Sequence, residues 1–300
     1  RPHYASRPMH VTPLYEARPR PRRIALGEFD GVHVGHREVI RGSDTVLTFE
    51  PHPATVVRPG GGPKLLTSLD VKAELIAELG VDELVVIPFD ARFAQQSPQE
   101  FIDAVLVGRL QATRVSVGAN FHFGHHATGS PALLQADPRF ETRVVSVVSL
   151  DGEMVSSSRI RTLIAEGDVE SAARLLGSPF RFRGEVVHGA ERGRDLGFPT
   201  ANIVPDPALV CPGDGIYACR AGEHLAAVSV GVRPTFGDNL QLLVEAFLLD
   251  FAGDLYGEML TLEFIARLRG ELRFDSAQEL IERMRADVQQ VRALLASDLT

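Results

Sequence analysis

Two patterns of apolar and polar positions divide the chain. From residue 24 to about residue 178, short apolar runs alternate with segments whose apolar residues recur at helical spacing. This alternation is typical of βαβ units and predicts an α/β, doubly wound parallel sheet. From Phe180 onward, short stretches of strictly alternating apolar and polar residues are separated by Gly and Pro turns. That second pattern predicts an antiparallel β-barrel or sandwich, so we expect a domain boundary near residues 178–180.

The first pattern predicts individual strands and helices. The strands are expected over residues 24–26, 44–49, 83–88, 115–118 and 144–148. The helices are expected over residues 37–40, 69–79, 98–110, about 159–166 and 168–177, and Ser97 is the predicted N-cap of the third. Residues 1–23 are rich in Pro and Arg and show little periodicity, so we expect a flexible or loosely docked lead-in.

The C-terminal segment predicts an amphipathic helix. Ser276 and Glu279 have the spacing of a capping box. Seven apolar residues then share one side of the predicted helix: Leu280, Ile281, Met284, Val288, Val291, Leu294 and Leu295. We interpret this stripe as a packing surface rather than a ligand site.

A Gly-rich segment between the first predicted strand and its helix has candidate phosphate-binding residues. It reads Gly27-Glu-Phe29-Asp30-Gly31-Val-His33-Val-Gly-His36. Glycines let the backbone approach a ligand closely, and the N–H groups at the start of a helix attract phosphate. Two histidines three residues apart would suit such a site. An ordinary βα turn with two solvated histidines is the alternative, because short motifs also arise without function.

Two further segments have polar residues suited to ligands. Glu50-Pro51-His52-Pro53 closes a predicted strand, and ligands bind at the carboxyl edge of open α/β sheets. Ser156, Ser157 and Ser158 precede a predicted helix whose first turn contains Arg161. Hydroxyl groups, backbone N–H groups and a guanidinium would together suit a phosphate, but an ordinary N-cap also explains the serines.

Composition and charge narrow the classes of function. The 300-residue chain is 44% hydrophobic, which is enough for sizeable cores in two domains. Its formal net charge of −8 argues against a general nucleic-acid binder, which needs a concentrated basic face. No apolar run is long enough to predict a membrane span. The two cysteines, Cys211 and Cys219, form no CxxC pair and no secretory signal is seen, so we expect a reduced, cytoplasmic protein without structural zinc.

Seven motifs in order resemble the prokaryotic bifunctional riboflavin kinase and FMN adenylyltransferase family, often called FAD synthetases. Each motif is weak alone, but their order from about Ile24 to the C-terminal helix is specific. The motifs are Gly27-x-Phe-Asp-Gly-Val-His-x-Gly-His36, Thr48-Phe-Glu-Pro-His-Pro53, Gly118-x-Asn-Phe-x-Phe-Gly124, Ser156-Ser-Ser-x-Ile-Arg161, Gly197-Phe-Pro-Thr-Ala-Asn202, Gly231-Val-Arg-Pro-Thr-Phe236 and Asp254-Leu-Tyr-Gly257.

The resemblance implies a nucleotidyltransferase domain over residues 24–178 and a six-stranded riboflavin kinase barrel with a C-terminal helix over residues 179–300. The first domain would transfer AMP from ATP to FMN, which yields FAD and pyrophosphate. The second would phosphorylate riboflavin with ATP and Mg²⁺, which yields FMN and ADP. A flavin-binding or regulatory protein with one retained active site is the alternative. An RNA-ligand enzyme sharing the H-x-G-H core is disfavoured by the acidic charge and the appended barrel.

For the first domain, the resemblance implies His33, His36 and Arg161 as catalytic residues that bind the ATP phosphates. The other implied phosphate-binding residues are Gly27, Phe29, Asp30, Gly31, Ser156, Ser157 and Ser158, the last where the family usually has Thr. The implied flavin-side residues are Asn120, Phe123, Pro51 and His52. A turn-forming role is the alternative for Asn120, and a purely structural role is equally open for His52.

For the second domain, the resemblance implies Glu245 as the base that accepts the proton of the riboflavin hydroxyl, with an ordinary solvent-facing acidic residue as the alternative. Thr200 and Asn202 are the implied Mg²⁺ ligands, because their oxygen atoms suit this hard ion. A Gly-rich loop over the ATP phosphates would contain His188, Gly189, Arg192 and Gly193.

One departure from the family follows the Gly-rich segment. Only eleven residues separate His36 from Thr48, about half of the family's usual number, which leaves little more than one helical turn for a crossover. Either the crossover helix is shortened, or the natural chain is longer at this point. We favour the second interpretation.

Overall fold

The computed structural model describes residues 9–58, 60–188, 198–234 and 240–295. The chain divides into two compact units, Arg1–Ser157 and Ser158–Thr300. This division falls before the change of periodicity near residue 178, because a helix over Val169–Leu176 packs against the strands of the second unit. The domain ranges expected from the sequence remain predictions.

Strands and helices alternate in the first unit. Its strands are β1 (His10–Pro13), β2 (Arg22–Leu26), β3 (Thr45–Glu50), β4 (Glu83–Pro88), β5 (Ala112–Gly118), β6 (Glu141–Val145), β7 (Ser149–Leu150) and β8 (Glu153–Met154). Its helices are α1 (Val34–Ile40), α2 (Pro53–Val57), α3 (Leu69–Ala77), α4 (Pro98–Glu100), which continues as a π-helix over Phe101–Arg109, and α5 (Pro131–Gln135). Short 3₁₀ turns cover Leu14–Glu16, Phe93–Gln95 and His125–Ala127.

Strands β1 to β6, as described, form a parallel sheet in the order β1-β4-β3-β2-β5-β6. Ile24 and Leu26 belong to one apolar cluster and Ala25 to another, and successive residues of a strand point to opposite faces. Both faces of the sheet are therefore covered, which confirms the predicted doubly wound α/β fold. The strand order reverses between β2 and β5, and ligands bind at the carboxyl edge of such a reversal.

Residues 10–13 and 22–23 are strand residues of this sheet, so the segment is not the loosely docked lead-in expected from composition. β1 pairs in parallel with β4. Arg22 is 1% exposed, and its Nε donates to Glu83 Oε2 at 3.0 Å. Arg20 donates to the same oxygen at 2.8 Å. Two arginines of a segment that resembles a solvated tail thus surround one carboxylate at the amino edge of the sheet.

In the structure, the short segment after His36 connects β2 to β3. The helix α1 has seven residues, and Ile24 of β2 pairs directly with Thr45 of β3. Because β2 and β3 are immediate neighbours, this short helix is sufficient to connect their opposite ends.

The second unit consists of a barrel with flanking helices. Its elements are α6 (Ser157–Glu166), which spans the division, α7 (Val169–Leu176), β9 (Phe180–Val187), β10 (Ala201–Ile203), β11 (Gly215–Ala221), β12 (His224–Pro234), β13 (Leu240–Leu248), β14 (Met259–Arg269) and α8 (Ala277–Leu295). Within the described residues, the strands close in the order β10-β13-β12-β11-β14-β9, with antiparallel neighbours. Of the barrel and the sandwich that the pattern left open, the structure has the barrel, and it confirms the six strands that the resemblance implies.

The helix α8 covers part of the barrel surface. Val291 and Leu295 are buried in an apolar cluster with barrel residues, whereas Leu294 is 46% exposed. The packed face is therefore narrower than the predicted stripe. Ser276 Oγ accepts the N–H of Glu279 at 3.2 Å, as expected for the N-cap.

Candidate functional site

The loop after β2 is held tightly at the carboxyl edge of the sheet. The N–H of Gly27 donates to the carbonyl of Leu47 at 3.2 Å. Phe29 and Val32 have positive φ angles of 52° and 43°, and both side chains are buried. This backbone region is unfavourable for residues other than glycine, above all for a β-branched one, and such strain clusters at functional sites. The loop thus has the local strain expected of a ligand-binding segment.

Asp30 is a buried residue of this loop. It is 2% exposed, and its carboxylate accepts the N–H groups of Leu66 at 2.9 Å and Thr67 at 3.2 Å. Thr67 Oγ1 accepts the N–H of Gly31 at 3.2 Å. Ser157 Oγ donates to the carbonyl of Asp30 at 2.9 Å. Asp30 and Ser157 therefore stabilise the loop through hydrogen bonds, a role that the motif spacing does not reveal.

His33 caps α1 with its ring. Nδ1 accepts the N–H of His36 at 3.2 Å, so we assign the hydrogen of a neutral His33 to Nε2. The two rings are stacked, with centroids 3.5 Å apart and 16° between their planes. A Cβ on Gly35 would lie 3.2 Å from the His33 ring, so glycine leaves the space that the ring occupies. The hydrogen-bond donor of His33 is therefore Nε2.

His52 caps α2 in the same way. Its Nδ1 accepts the N–H of Ala54 at 3.1 Å, and its Nε2 lies 2.7 Å from Glu28 Oε2. His52 is 7% exposed, while Pro51, which follows a cis peptide bond, is exposed. Both ring nitrogens of His52 thus contact protein groups, which favours the structural role that the sequence left open.

Asn120 and Phe123 follow β5, the strand beside β2 at the reversal of strand order. Asn120 is exposed in a turn. Phe123 is 6% exposed and stacks on Phe121, with ring centroids 5.9 Å apart and 14° between their planes. This position suits the predicted flavin side, while the turn itself leaves the structural alternative for Asn120 open.

An aromatic cluster that the sequence does not reveal continues from Phe123. Successive ring centroids 5.5, 6.2, 5.7 and 5.7 Å apart connect Phe123, Phe101, Phe93, Phe89 and Phe49. These residues come from a strand, two helical segments and two loops, with no common spacing. Only the approach of their elements in the folded sheet brings the rings together.

Ser158 and Arg161 lie three residues apart near the start of α6. Arg161 Nη1 donates to Ser158 Oγ at 3.4 Å, so the hydroxyl and the guanidinium lie on one side of the helix. Ser156 precedes this helix. The predicted phosphate motif is thus at a helix start, and the division between the compact units falls between Ser157 and Ser158.

In the barrel, Asn202 of β10 lies directly opposite Glu245 of β13. On the other side of β13, Ser229 of β12 is opposite the same glutamate. Opposed residues of an antiparallel pair project to one face, with Cβ atoms about 5 Å apart. Asn202 is 5% exposed and Glu245 is half-buried, while the adjacent Ile203 and Val244 are fully buried. An amide, a carboxylate and a hydroxyl group therefore form one row across three strands.

Aromatic contacts lie near this row. Phe198, two residues before Thr200, meets Phe247 of β13 with centroids 5.1 Å apart at 70°. His188 follows β9, which pairs with β10, and its ring stacks on Tyr256 at a centroid distance of 3.8 Å. The other predicted residues of the Gly-rich loop lie outside the described residues: Gly189, Arg192 and Gly193.

Two family models match successive parts of the chain. The model described as FAD synthetase matches residues 16–159. The model described as riboflavin kinase matches residues 176–295. The first match contains strands β2 to β6 of the parallel sheet, and the second contains the barrel.

Curated relatives match nearly the whole chain. The bifunctional riboflavin kinase/FMN adenylyltransferase of Listeria monocytogenes is 40% identical over 290 residues, which cover 91% of this chain and 92% of the relative. The protein of the same name from Bacillus subtilis is 36% identical and covers 89% of this chain and 90% of its own length. The one from Escherichia coli strain K12 is 37% identical, with 86% and 87% covered.

A solved structure from Streptococcus pneumoniae, named as a macrolide-efflux protein, has the same fold. It is 30% identical, has a TM-score of 0.85, and covers 95% of this chain and 99% of its own. In the part of the present chain that the structure describes, no helix combines the length and the apolar character that a membrane span needs.

Proposed function

The chain belongs to the family of bifunctional riboflavin kinases/FMN adenylyltransferases, and we propose that it makes FAD from riboflavin in two ATP-dependent steps. The barrel phosphorylates riboflavin to FMN and releases ADP. The parallel-sheet domain joins FMN to the AMP part of ATP and releases pyrophosphate. The observation that carries this proposal is the presence of both domains in one chain that is 40% identical to a relative of that name over 91% of its residues.

In the adenylyl transfer, a phosphate oxygen of FMN attacks the α-phosphorus of ATP, and the bond to the pyrophosphate oxygen breaks. The nucleophile is already an anion, so the protein must mainly align it and stabilise the charge on pyrophosphate. We assign that charge stabilisation to His33, through its Nε2–H, and to His36 and Arg161. Support comes from the ring cap that holds His33 in one orientation.

The remaining residues of the first site shape it. Gly27, Phe29, Asp30 and Gly31 maintain the loop, and Ser156, Ser157 and Ser158 surround the start of α6. Asn120 and Phe123 are assigned to the flavin side, where the partly exposed Phe121, stacked on the buried Phe123, offers an apolar surface to the isoalloxazine ring. Pro51 is also assigned to the flavin side, and His52 supports it from the cap of α2.

In the kinase reaction, Glu245 accepts the proton of the terminal ribityl hydroxyl while that oxygen attacks the γ-phosphorus, and the bond to ADP breaks. Asn202 supports this assignment, because it is opposed to Glu245 on the neighbouring strand. His188, at the end of β9, is assigned to the ATP side together with Gly189, Arg192 and Gly193.

A Mg²⁺ ion fits the residues beside Glu245. The amide oxygen of Asn202 and the hydroxyl of Thr200 are hard donors of the kind that this ion accepts along with water. When bound, Mg²⁺ would neutralise charge on the ATP phosphates. The cytoplasmic location expected from the sequence remains a prediction.

The alternative of a flavin-binding or regulatory protein with one active site receives no support from the relatives. Both predicted sets of residues are present in the chain. We do not propose an efflux function for this chain, because relatives of higher identity than the Streptococcus structure are named as the bifunctional enzyme.

Product analysis tests the proposed function. The protein is incubated with riboflavin, ATP and Mg²⁺, and the flavins are separated by chromatography. We expect FMN to form first and FAD to follow with pyrophosphate. FMN alone would leave the first domain without its proposed activity, and unchanged riboflavin would contradict the proposal for both domains.

A further inference from the structure

Lys72 is a buried lysine in the first unit. It lies in the first turn of α3 and is 3% exposed. Among the described residues, its ammonium group makes neither a hydrogen bond nor an ion pair. The chain has 31 Lys and Arg residues, and only Lys64 and Lys72 are lysines. A compact ammonium group therefore occupies this buried position in a chain that uses arginine almost everywhere else.

Three carboxylates act on this ammonium group, those of Asp30, Glu50 and Glu28. Glu28 and Asp30 belong to the loop after β2, and Glu50 is the last residue of β3. Burial lowers the pKa of Lys72, and the three carboxylates raise it back only in part. The lysine thus lies where its charge costs stability, at the edge that the proposed function assigns to ATP.

Hydrogen bonds determine the position of Lys72 relative to the loop after β2. Asp30 accepts N–H groups from Leu66 and Thr67, which immediately precede α3, at 2.9 and 3.2 Å. The N–H of Lys72 donates to the carbonyl of Ser68 at 2.9 Å, which continues this connection into the helix. The loop and the first turn of α3 are therefore one connected structure.

Without Lys72, the three negative charges of the loop after β2 and the end of β3 would oppose the binding of a polyphosphate at this edge of the sheet. We propose that Lys72 is a positioning residue for adenylyl transfer, which offsets the charge of Asp30, Glu50 and Glu28 so that the neighbouring loop admits the phosphates of ATP. This inference rests on the proposed function of the first domain. Lys72 acts through the electrostatic potential and does not touch the reacting atoms, so its loss weakens ATP binding more than turnover.

Steady-state conversion of FMN to FAD by Lys72→Met tests this proposal. We expect a KM for ATP roughly tenfold above wild type and a kcat changed by less than about threefold. Riboflavin phosphorylation by the same preparation should be unchanged. The Tm should not fall, because methionine occupies similar space without a buried charge. Lys64→Met, which removes the exposed lysine, is the matched control and should have the wild-type KM.

A double variant separates charge from packing. Glu50→Gln/Lys72→Met removes one negative charge together with the positive one, so its KM for ATP should return partway to the wild-type value. If Lys72→Met does not fold, Lys72→Gln replaces it with the same expectations. An unchanged KM in the single variant, or no recovery in the double variant, would overturn the proposal while FAD formation by wild type upholds the enzyme's function. Absence of FAD from the wild type would instead overturn the proposed function itself.

Discussion

Asn202 and Glu245 face each other across the antiparallel pair of β10 and β13, so their side chains share one face of the barrel. A carboxylate that acts as a base needs a fixed position relative to the phosphate that its substrate attacks. We propose that the opposed amide holds a Mg²⁺ ion within the same small region.

We predict that Asn202→Ala lowers kcat/KM for riboflavin phosphorylation by roughly tenfold to a hundredfold and raises the Mg²⁺ concentration needed for half-maximal rate. The measurement is the initial rate of FMN formation over a Mg²⁺ titration. Conversion of FMN to FAD serves as the internal control and should be unaffected. Val204→Ala, an exposed change just after β10, should leave both rates intact. An unaltered Mg²⁺ dependence would remove Asn202 from the proposed ion site.

A second prediction separates the two contributions of His33. His33→Ala should lose both the N-cap of α1, worth about 1 kcal/mol of stability, and most FMN-to-FAD activity. His33→Asn restores an acceptor for the N–H of His36, so it should recover the stability but not the activity. Thermal unfolding and FAD formation measured on both variants check this. Full activity in His33→Asn would show that the ring serves α1 alone.

A third prediction concerns the ion cluster at the amino edge of the sheet. Glu83→Gln leaves the buried Arg22 without its charged partner, so we expect the free energy of unfolding to fall by about 3 kcal/mol. Denaturant-induced unfolding, followed by a spectroscopic signal of the first domain, measures the change. Glu78→Gln, an exposed glutamate on the segment after α3, is the control.

Glu83 should also affect the dependence of stability on pH. Burial acts to raise the pKa of Glu83, but hydrogen bonds and charges from Arg22 and Arg20 outweigh it and lower the pKa below its ordinary value. The carboxylate therefore stabilises the fold above its unfolded-state pKa, and this contribution is lost as the pH falls toward the folded-state value. Wild type should lose more stability than Glu83→Gln below about pH 4. Parallel curves for the two proteins would contradict this assignment.

The sequence predicts the two fold classes and the site motifs, because both depend on local signals. Alternating strands and helices, the change to period-two strands at Phe180, and the Gly-His spacing near His33 are all visible within short windows. The cap formed by Ser97 and Glu100 was also predictable, since its geometry depends on neighbours in the chain.

Features that depend on distant residues were not predictable from the sequence. Arg22 lies in a segment with the composition of a solvated tail, but its partner Glu83 is sixty-one positions away. Asp30 matches a phosphate-loop motif, yet its carboxylate is directed to the backbone before α3. The buried charge of Lys72 follows from tertiary packing alone, because its helical spacing places it among apolar residues without any motif.

The most direct test of the two-site account is a comparison of the two half-reactions in Glu245→Gln. FMN formation from riboflavin and FAD formation from FMN are measured separately on the same preparation, with wild type alongside. We predict that the first rate falls by at least about a hundredfold, because the base is lost, while the second stays within about twofold of wild type. An equal loss of both rates, or a kinase rate that is unchanged, would contradict the account.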